Sequence, residues 1–462
     1  MRYLAIDVGS SVLKSLVVDD AGTNSLPRKV PMPNATRGLR KGRHESDASA
    51  IRGLVLAHIH EALDACPDIA GVGFSTQMHG ILLSDDDNSP LTPFLSWQDE
   101  RVLERDSTGE PFSAALADRI PSEHQVSSGV PLRPGIGAGA LAHWLAENPL
   151  DSHHGVRVHT LGSFLIASLS GEHVTHITNA APLGLVDLRL GSWSPDLCAS
   201  YGFENFTLPR VLHTFSRVGE FTYLGRTIAV HPDVGDHQAS ILGGGGLGAD
   251  EVAISLGTAG IIARQVDGLE LNVQYENRPY FDGSYLQTIS RQPGGRLAET
   301  FIRLVASVGR EIFDCDIGEQ ELWHDVYRML GEGSVVDSPA TVSVDESGMS
   351  IQGISDEKFG ARELFTALFA SYGVAYSAAL DRLFEGAPRP IRAHVNGGMV
   401  SNNEWLRNHL ADSLNLDIPT PPEQNMALLG LSILLRGVDS ATPRDLMPIP
   451  HLPDHPTEAK EL

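Results

Sequence analysis

The chain has 462 residues, 42% hydrophobic and 20% charged, with a formal net charge of −24 at pH 7. That length exceeds what one hydrophobic core serves, so two domains are expected. The acidity excludes a nucleic-acid surface, and no apolar run reaches the roughly 18 residues of a membrane-spanning helix.

Reading from the N-terminus, Leu4–Val8 and Val12–Val18 are strands joined by a Gly9-Ser10-Ser11 turn. Asp7 interrupts this first apolar run, so it does not read as a signal peptide. Ala48–Ala65 has helical patterning, and the apolar run Ile69–Phe74 ends in Ser75-Thr-Gln77-Met78-His79-Gly80. Ile81–Ser84 leads into a cluster of turn formers, and helices are expected around Gly139–Glu147 and Gly162–Ser170. Thr227–Val230 is a short strand before Asp233-Val-Gly235-Asp236-His237, with a short helix from Gln238 to Leu242. Asp233, next to Pro232, reads as a turn residue. Gly243–Gly246 is a flexible joint, which sets the expected domains at 1–242 and 243–462.

The second half restarts as the first began. Val252-Ala-Ile-Ser255-Leu-Gly257-Thr258-Ala259 is an altered copy of the opening strand and turn. A helical stripe runs over Arg296–Arg310 after Gly294-Gly295, and a longer helix over Ala361 to about Phe384. Ile391–Val395 is a strand ending in Asn396-Gly397-Gly398, followed by helices at Asn403–Leu414 and Glu423–Leu435. The tail from Gly437 is rich in proline and irregular. The sum is a duplicated α/β architecture. The three cysteines, Cys66, Cys198 and Cys315, are dispersed without metal-ligand spacing, as in a reducing cytoplasm.

Glycines let backbone approach an anion, and turn N–H groups with hydroxyls supply donors. Two such turns suit a polyphosphate gripped from both halves. Asp7 either holds Mg²⁺ there or caps its turn; Lys14 either reaches a phosphate or lies at the surface. Asp236 is a general-base candidate or a helix N-cap. Gln77, Met78 and His79, and Trp97-Gln-Asp99-Glu-Arg101, mix aromatic, apolar and polar groups as a carbohydrate pocket does. Gly294, Gly295, Gly397, Gly398 and Asn402 lie at strand-to-helix junctions, where backbone can meet a nucleotide.

In order along the chain, Asp7-Val-Gly-Ser-Ser-x-x-Lys14, Gln77-Met-His-Gly80, Trp97-Gln-Asp-Glu-Arg101, Gly235-Asp236, Ser255-Leu-Gly-Thr258, Asn396-Gly-Gly398 and Glu423-x-x-x-x-Leu-Leu-Gly430 resemble the FGGY family of carbohydrate kinases. The resemblance implies a two-domain actin/hexokinase-like (ribonuclease H-like) fold with an interdomain cleft. The first domain would bind the sugar and the second ATP. It also implies Asp236 as catalytic base, Asp7 with Asp236 at Mg²⁺, both turns on phosphates, Gly397 and Gly398 at adenosine, and Met78 and His79 at the sugar. The Trp-Gln-Asp and Gly-Asp-x-Gln-Ala-Ser segments, with Tyr280–Tyr285, are similar to sedoheptulokinases, and the Met-His pair to xylulokinases. His237, like Asp236 a candidate to contact the sugar, stands where the resemblance leads one to expect an apolar residue beside the base, and Ala259 where it leads one to expect Ser.

The expected activity is therefore ATP- and Mg²⁺-dependent phosphorylation of a ketose at a primary hydroxyl, in a cytoplasmic enzyme without nucleic-acid or membrane partners. A homodimer is compatible with the sequence. Rival readings are a catalytically silent sugar or nucleotide sensor, an actin- or chaperone-type ATPase, and a kinase of another polyol.

Overall fold

The computed structural model describes residues 1–150, 155–332, 340–345, 348–354, 360–401, 403–421 and 425–437. Strands β1 (Arg2–Val8), β2 (Val12–Asp19), β3 (Asn24–Pro31), β4 (Ile69–Thr76), β5 (Gly219–Tyr223) and β6 (Arg226–Gly235) form one sheet in the order β5-β6-β4-β1-β2-β3. β1 runs antiparallel to β2 and parallel to β4, with β6 parallel on the far side of β4. Both faces are covered, which is why β1 is nearly all apolar. Leu4, Ile6 and Val8 face a core shared with helix α1 (Ala48–Ala65), whose first turn is capped by Asp47.

The second sheet repeats the plan. β7 (Glu251–Leu256), β8 (Gly260–Val266), β9 (Glu276–Pro279), β10 (Tyr285–Gln292) and β11 (Arg392–Asn396) lie in the order β9-β10-β8-β7-β11. β7 is antiparallel to β8 and parallel to β11, as β1 is to β2 and β4. The duplication inferred from two turns is thus a duplication of whole sheets. Helices α3 (Gly295–Phe313) and α4 (Ala361–Leu383) contribute to the core of this half.

Helix α2 (Asp236–Gly243) follows β6 directly, and α5 (Met426–Gly437) is the last described element. The two cross at small residues. A Cβ on Gly430 would lie 1.9 Å from the Ala239 carbonyl oxygen, and one on Gly243 would lie 2.0 Å from that of Met426. Although α5 follows the second sheet in the sequence, its Ala427, Leu428, Leu431, Leu434 and Leu435 pack on Tyr3, Ala5, Leu16 and Val18 of the first sheet.

One local expectation fails. Asp233 is not a turn residue: β6 continues through it to Gly235, and the side chain is fully buried. The pairing with β4 slips between Val230 and Asp233, so Pro232 sits in an irregularity where its missing N–H breaks no ladder. Among the described residues no helix is long and apolar enough to cross a membrane.

Candidate active site

β1 ends by delivering Asp7, and β6 ends by delivering Asp236 as the first residue of α2, with Gly235 in the capping position. Asp7 is buried; its carboxylate accepts from the Ser75 hydroxyl at 3.1 Å and from the Asn425 amide at 3.3 Å. Burial pushes the Asp7 carboxyl up, opposed by Lys14 and by these two donors. Burial raises Asp236 to about 7, and the Asp7 carboxylate adds to the rise against the His237 N–H and the Arg278 guanidinium. Two carboxylates therefore share a desolvated site, and the hydrogen-bond donors on Asp7 are neutral. That is a donor set suited to a hard divalent cation.

The glycine motifs of the second half converge. The Gly295 N–H donates to the Gly257 carbonyl at 2.7 Å, and the Arg296 N–H to that of Thr258 at 3.0 Å, so the N-terminus of α3 docks on the β7–β8 turn. A Cβ on Gly294 would lie 2.6 Å from Ala259 backbone. Gly397, at φ +104°, would place one 2.3 Å from the Leu256 carbonyl oxygen. Three glycine segments thus pack backbone against backbone, and the first N–H groups of α3 are taken by the Gly257, Thr258 and Gly294 carbonyls. Gly398 is exposed at the first turn after β11, and Asn402 and Glu423 lie outside the described residues. In the first half, Gly9 is half-buried with Ser10 and Ser11 exposed at the β1–β2 turn. Lys14 pairs with Asp7 across the strands.

Gln77 extends that turn: its N–H donates to the Val8 carbonyl at 3.1 Å and its amide to the Gly9 carbonyl at 3.4 Å. Its buried Oε1 has no protein partner among the described residues. Met78 packs against Gly235, where a Cβ would stand 2.9 Å from its sulfur. His79 adopts φ +67° and its Nδ1 lies 2.8 Å from the Pro182 carbonyl. Burial holds its ring near pKa 3, hence neutral and protonated on Nδ1. The Trp97 segment behaves differently. Trp97 is half-buried, but Asp99 and Arg101 are fully buried and bind one another at 2.8 Å, with Glu45 a further 2.6 Å partner of Arg101. Asp99 also accepts from the His44 N–H. These two charges brace the loop instead of offering free groups to a ligand.

Sequence reasoning missed the polar groups behind Asp236. Asp233 accepts from the Thr160 and Thr175 hydroxyls, the His176 N–H and the Asn179 amide, at 2.9–3.1 Å. It anchors the end of β6 just before Asp236. From the second half, β9 brings Glu276 and Arg278, both buried and paired at 2.7 Å. Glu276 also accepts from Arg133 of the first half at 2.8 Å and from the Ser290 hydroxyl at 2.6 Å. The Asn277 N–H donates to the Gly129 carbonyl at 2.9 Å, so β9 closes over the first half beside Asp236 and His237. Glu-Asn-Arg-Pro reads as a polar loop, and nothing in its local pattern betrays a buried strand.

Residues 2–243 match the N-terminal domain of the FGGY family of carbohydrate kinases, a little over half the chain. Xylulose kinase of Lactococcus lactis is 26% identical over 277 residues, 57% of this chain and 53% of that protein. Glycerol kinase of Nocardia farcinica is 30% identical over 272 residues, 56% of this chain and 52% of its own length. The chain thus matches about half the length of these curated relatives. A solved structure described as a xyloylose kinase from Brucella ovis superimposes with TM-score 0.79 over 95% of this chain and 90% of that chain, at 22% identity, which establishes the two-domain actin/hexokinase-like fold. From its ordered motifs, its duplicated sheets and this match, the chain belongs to the FGGY family of carbohydrate kinases.

Proposed function

We propose that the chain transfers the terminal phosphoryl group of ATP to a primary hydroxyl of a ketose of the xylulose, ribulose or sedoheptulose kind, with Asp236 as general base. The observation that supports this best is the half-buried Asp236 carboxyl, raised to about 7 beside Asp7. A base poised near neutral pH can both be ionised and take a hydroxyl proton effectively. In this reading residues 1–242 hold the sugar and the second half holds the nucleotide. Gln77, Met78, His79 and Trp97 face the acceptor, and the packed glycine segments with the β7–β8 turn face the phosphates.

Asp236 accepts the proton of the acceptor hydroxyl as its oxygen forms the bond to the γ-phosphorus, and the bond from that phosphorus to the bridging oxygen of ADP breaks. The residues' task is positioning and charge dispersal, the main demands of phosphoryl transfer. Asp7 and Asp236 would hold Mg²⁺, which when bound neutralises charge on the phosphate oxygens.

The decisive variant is Asp236→Ala, assayed by coupled ADP release with a panel of three- to seven-carbon ketoses and polyols. Turnover should fall by about 10²–10⁴-fold with nucleotide binding retained. More than a tenth of wild-type turnover would remove the base assignment. ADP release indifferent to every sugar would favour an ATPase, and no release at all a silent sensor.

A further inference from the structure

The chain has five lysines, and two of them, Lys14 and Lys29, stand side by side. Asp7, Lys14 and Lys29 lie directly opposite one another across β1, β2 and β3, so the three side chains share one face of the first sheet. It is the face that α5 covers through Leu16 and Val18. Arg28 belongs to the other face, where it pairs with Glu61 of α1 at 3.0 Å. Lys14 acts on Asp7 from beyond ion-pair contact, and Lys29 has no acidic partner among the described residues. The segment around Lys29 offers none either, since no acidic residue occurs between Asp20 and Glu45. Like charges placed opposite each other in a ladder are destabilising. In a chain of net charge −24, that pair marks a place which an anion would stabilise.

Both lysines line a cavity of about 450 Å³ between the β2–β3 edge and the start of α5. Small-molecule sites span roughly 300–1,000 Å³. Leu16, Leu428 and Leu429 give the cavity apolar wall, and no acidic side chain lines it among the described residues. Asn24, opposite Val18 on the same face, and Asn425 give it carboxamides. The edge strand is bent here: the β2–β3 ladder slips between Ser15 and Val17, with Leu26 at φ +51°. Two ammonium groups match a dianion, lysine being a point-charge binder of phosphate. The leucines and carboxamides match a short carbon skeleton bearing hydroxyl groups. Asn425 links the cavity to the carboxylates, because its amide donates to Asp7 at 3.3 Å while its carbonyl accepts from the Leu428 N–H at 2.9 Å.

We propose that this cavity is a regulatory site for a small phosphate monoester, with the phosphate between Lys14 and Lys29 and the carbon skeleton on the leucines of α5. A bound dianion draws Lys14 away from Asp7 and engages Asn425, so the effector is an inhibitor. Binding at the site does not depend on the kinase reading; inhibition does.

Calorimetric titration of the nucleotide-free protein with xylulose 5-phosphate and with glycerol 3-phosphate tests the site. The tighter ligand tells a ketose phosphate of the kind the reaction would release from another phosphate monoester. Lys29→Glu should weaken that binding by about tenfold or more. Asn24→Trp, which fills the cavity without changing its charge, should weaken it likewise and serves as the second variant. Neither substitution touches a residue placed at the phosphates of ATP, so uninhibited kcat and the KM for ATP should stay within about twofold of wild type. In coupled ADP release the tighter monoester should inhibit the wild type without competing with the sugar, and Lys29→Glu should require about tenfold more of it. No binding to wild type, or wild-type affinity in both variants, would overturn the inference and leave the kinase reading standing. An ATP KM raised about tenfold in Lys29→Glu would also overturn it, by making the cavity part of the nucleotide site. Monoester binding that Lys29→Glu weakens, in a protein that releases no ADP with any sugar, would keep the site and remove the kinase reading.

Discussion

The crossing of α2 and α5 makes Gly430→Ala the most informative single substitution. The added methyl would sit 1.9 Å from the Ala239 carbonyl oxygen, where real Cβ contacts essentially never fall below 3.0 Å. The struck atom is backbone and cannot rotate aside, so the helices must part by roughly 1 Å. Overpacking of this kind costs about 1–3 kcal/mol, against about 1 kcal/mol that alanine returns in helix propensity; the clash should win. The catalytic effect should be larger than the stability effect. Asp236 opens α2, and Asn425, immediately before α5, holds the Asp7 carboxylate. A misplacement of about 1 Å can reduce turnover about 10²-fold. Coupled ADP release gives kcat, and thermal unfolding should show Tm lowered by about 2–4 °C per kcal/mol for a lobe of this size. Gly53→Ala in α1, with no atom within 4 Å of its added Cβ, is the control and should be neutral or stabilising. Wild-type kcat and undiminished Tm in Gly430→Ala would show that the two helices do not meet as described.

The remaining predictions concern the buried charges. Because Asp236 is raised to about 7, kcat/KM should fall tenfold per pH unit below about 7 and level off above it. Asp7→Asn should move that limb to lower pH, since it removes a carboxylate that raises Asp236; a limb that stays near pH 4 in the wild-type profile contradicts the assignment. Asp233→Ala removes the acceptor shared by four buried donors and should cost about 3–5 kcal/mol in urea unfolding; less than about 1 kcal/mol would mean the network is not formed. Glu276→Gln removes the carboxylate that Arg133 and Arg278 share, held well below the usual carboxylate range by those two arginines despite its burial. Its loss should cost about 3–5 kcal/mol near neutral pH. The depressed folded-state value also means that the Glu276 contribution is present above the unfolded value and fades as pH falls through the folded one, so wild type and variant should converge in acid.

The strand-end carboxylates and glycine turns were legible because their determinants are local. A strand followed by Asp, Gly and hydroxyl residues announces Asp7 and its turn within a few positions, and the second copy makes the duplication readable. Gly257, Gly294, Gly295 and Gly397 were recognisable as close-approach positions, and the structure packs them together. What stayed hidden is long-range. Arg133 meets Glu276 across 143 positions and Asn425 meets Asp7 across 418, distances over which no periodicity carries information. Asp233 was misread because Pro232 is a strong local turn signal; donors from three other segments override it. The Trp97 motif was rightly seen as polar, but whether Asp99 and Arg101 point outward or at Glu45 depends on a strand far upstream.

The packing of α5 on the first sheet bears on how the protein is made. Tyr3, Ala5, Leu16 and Val18 are synthesised roughly 400 residues ahead of Ala427 to Leu435, which cover them. At roughly 5–20 residues per second, that apolar strip waits about 20–80 s for its lid. The opening hairpin completes its packing only once α5 has been made, so one face of the first sheet waits on a helix from the far side of the second.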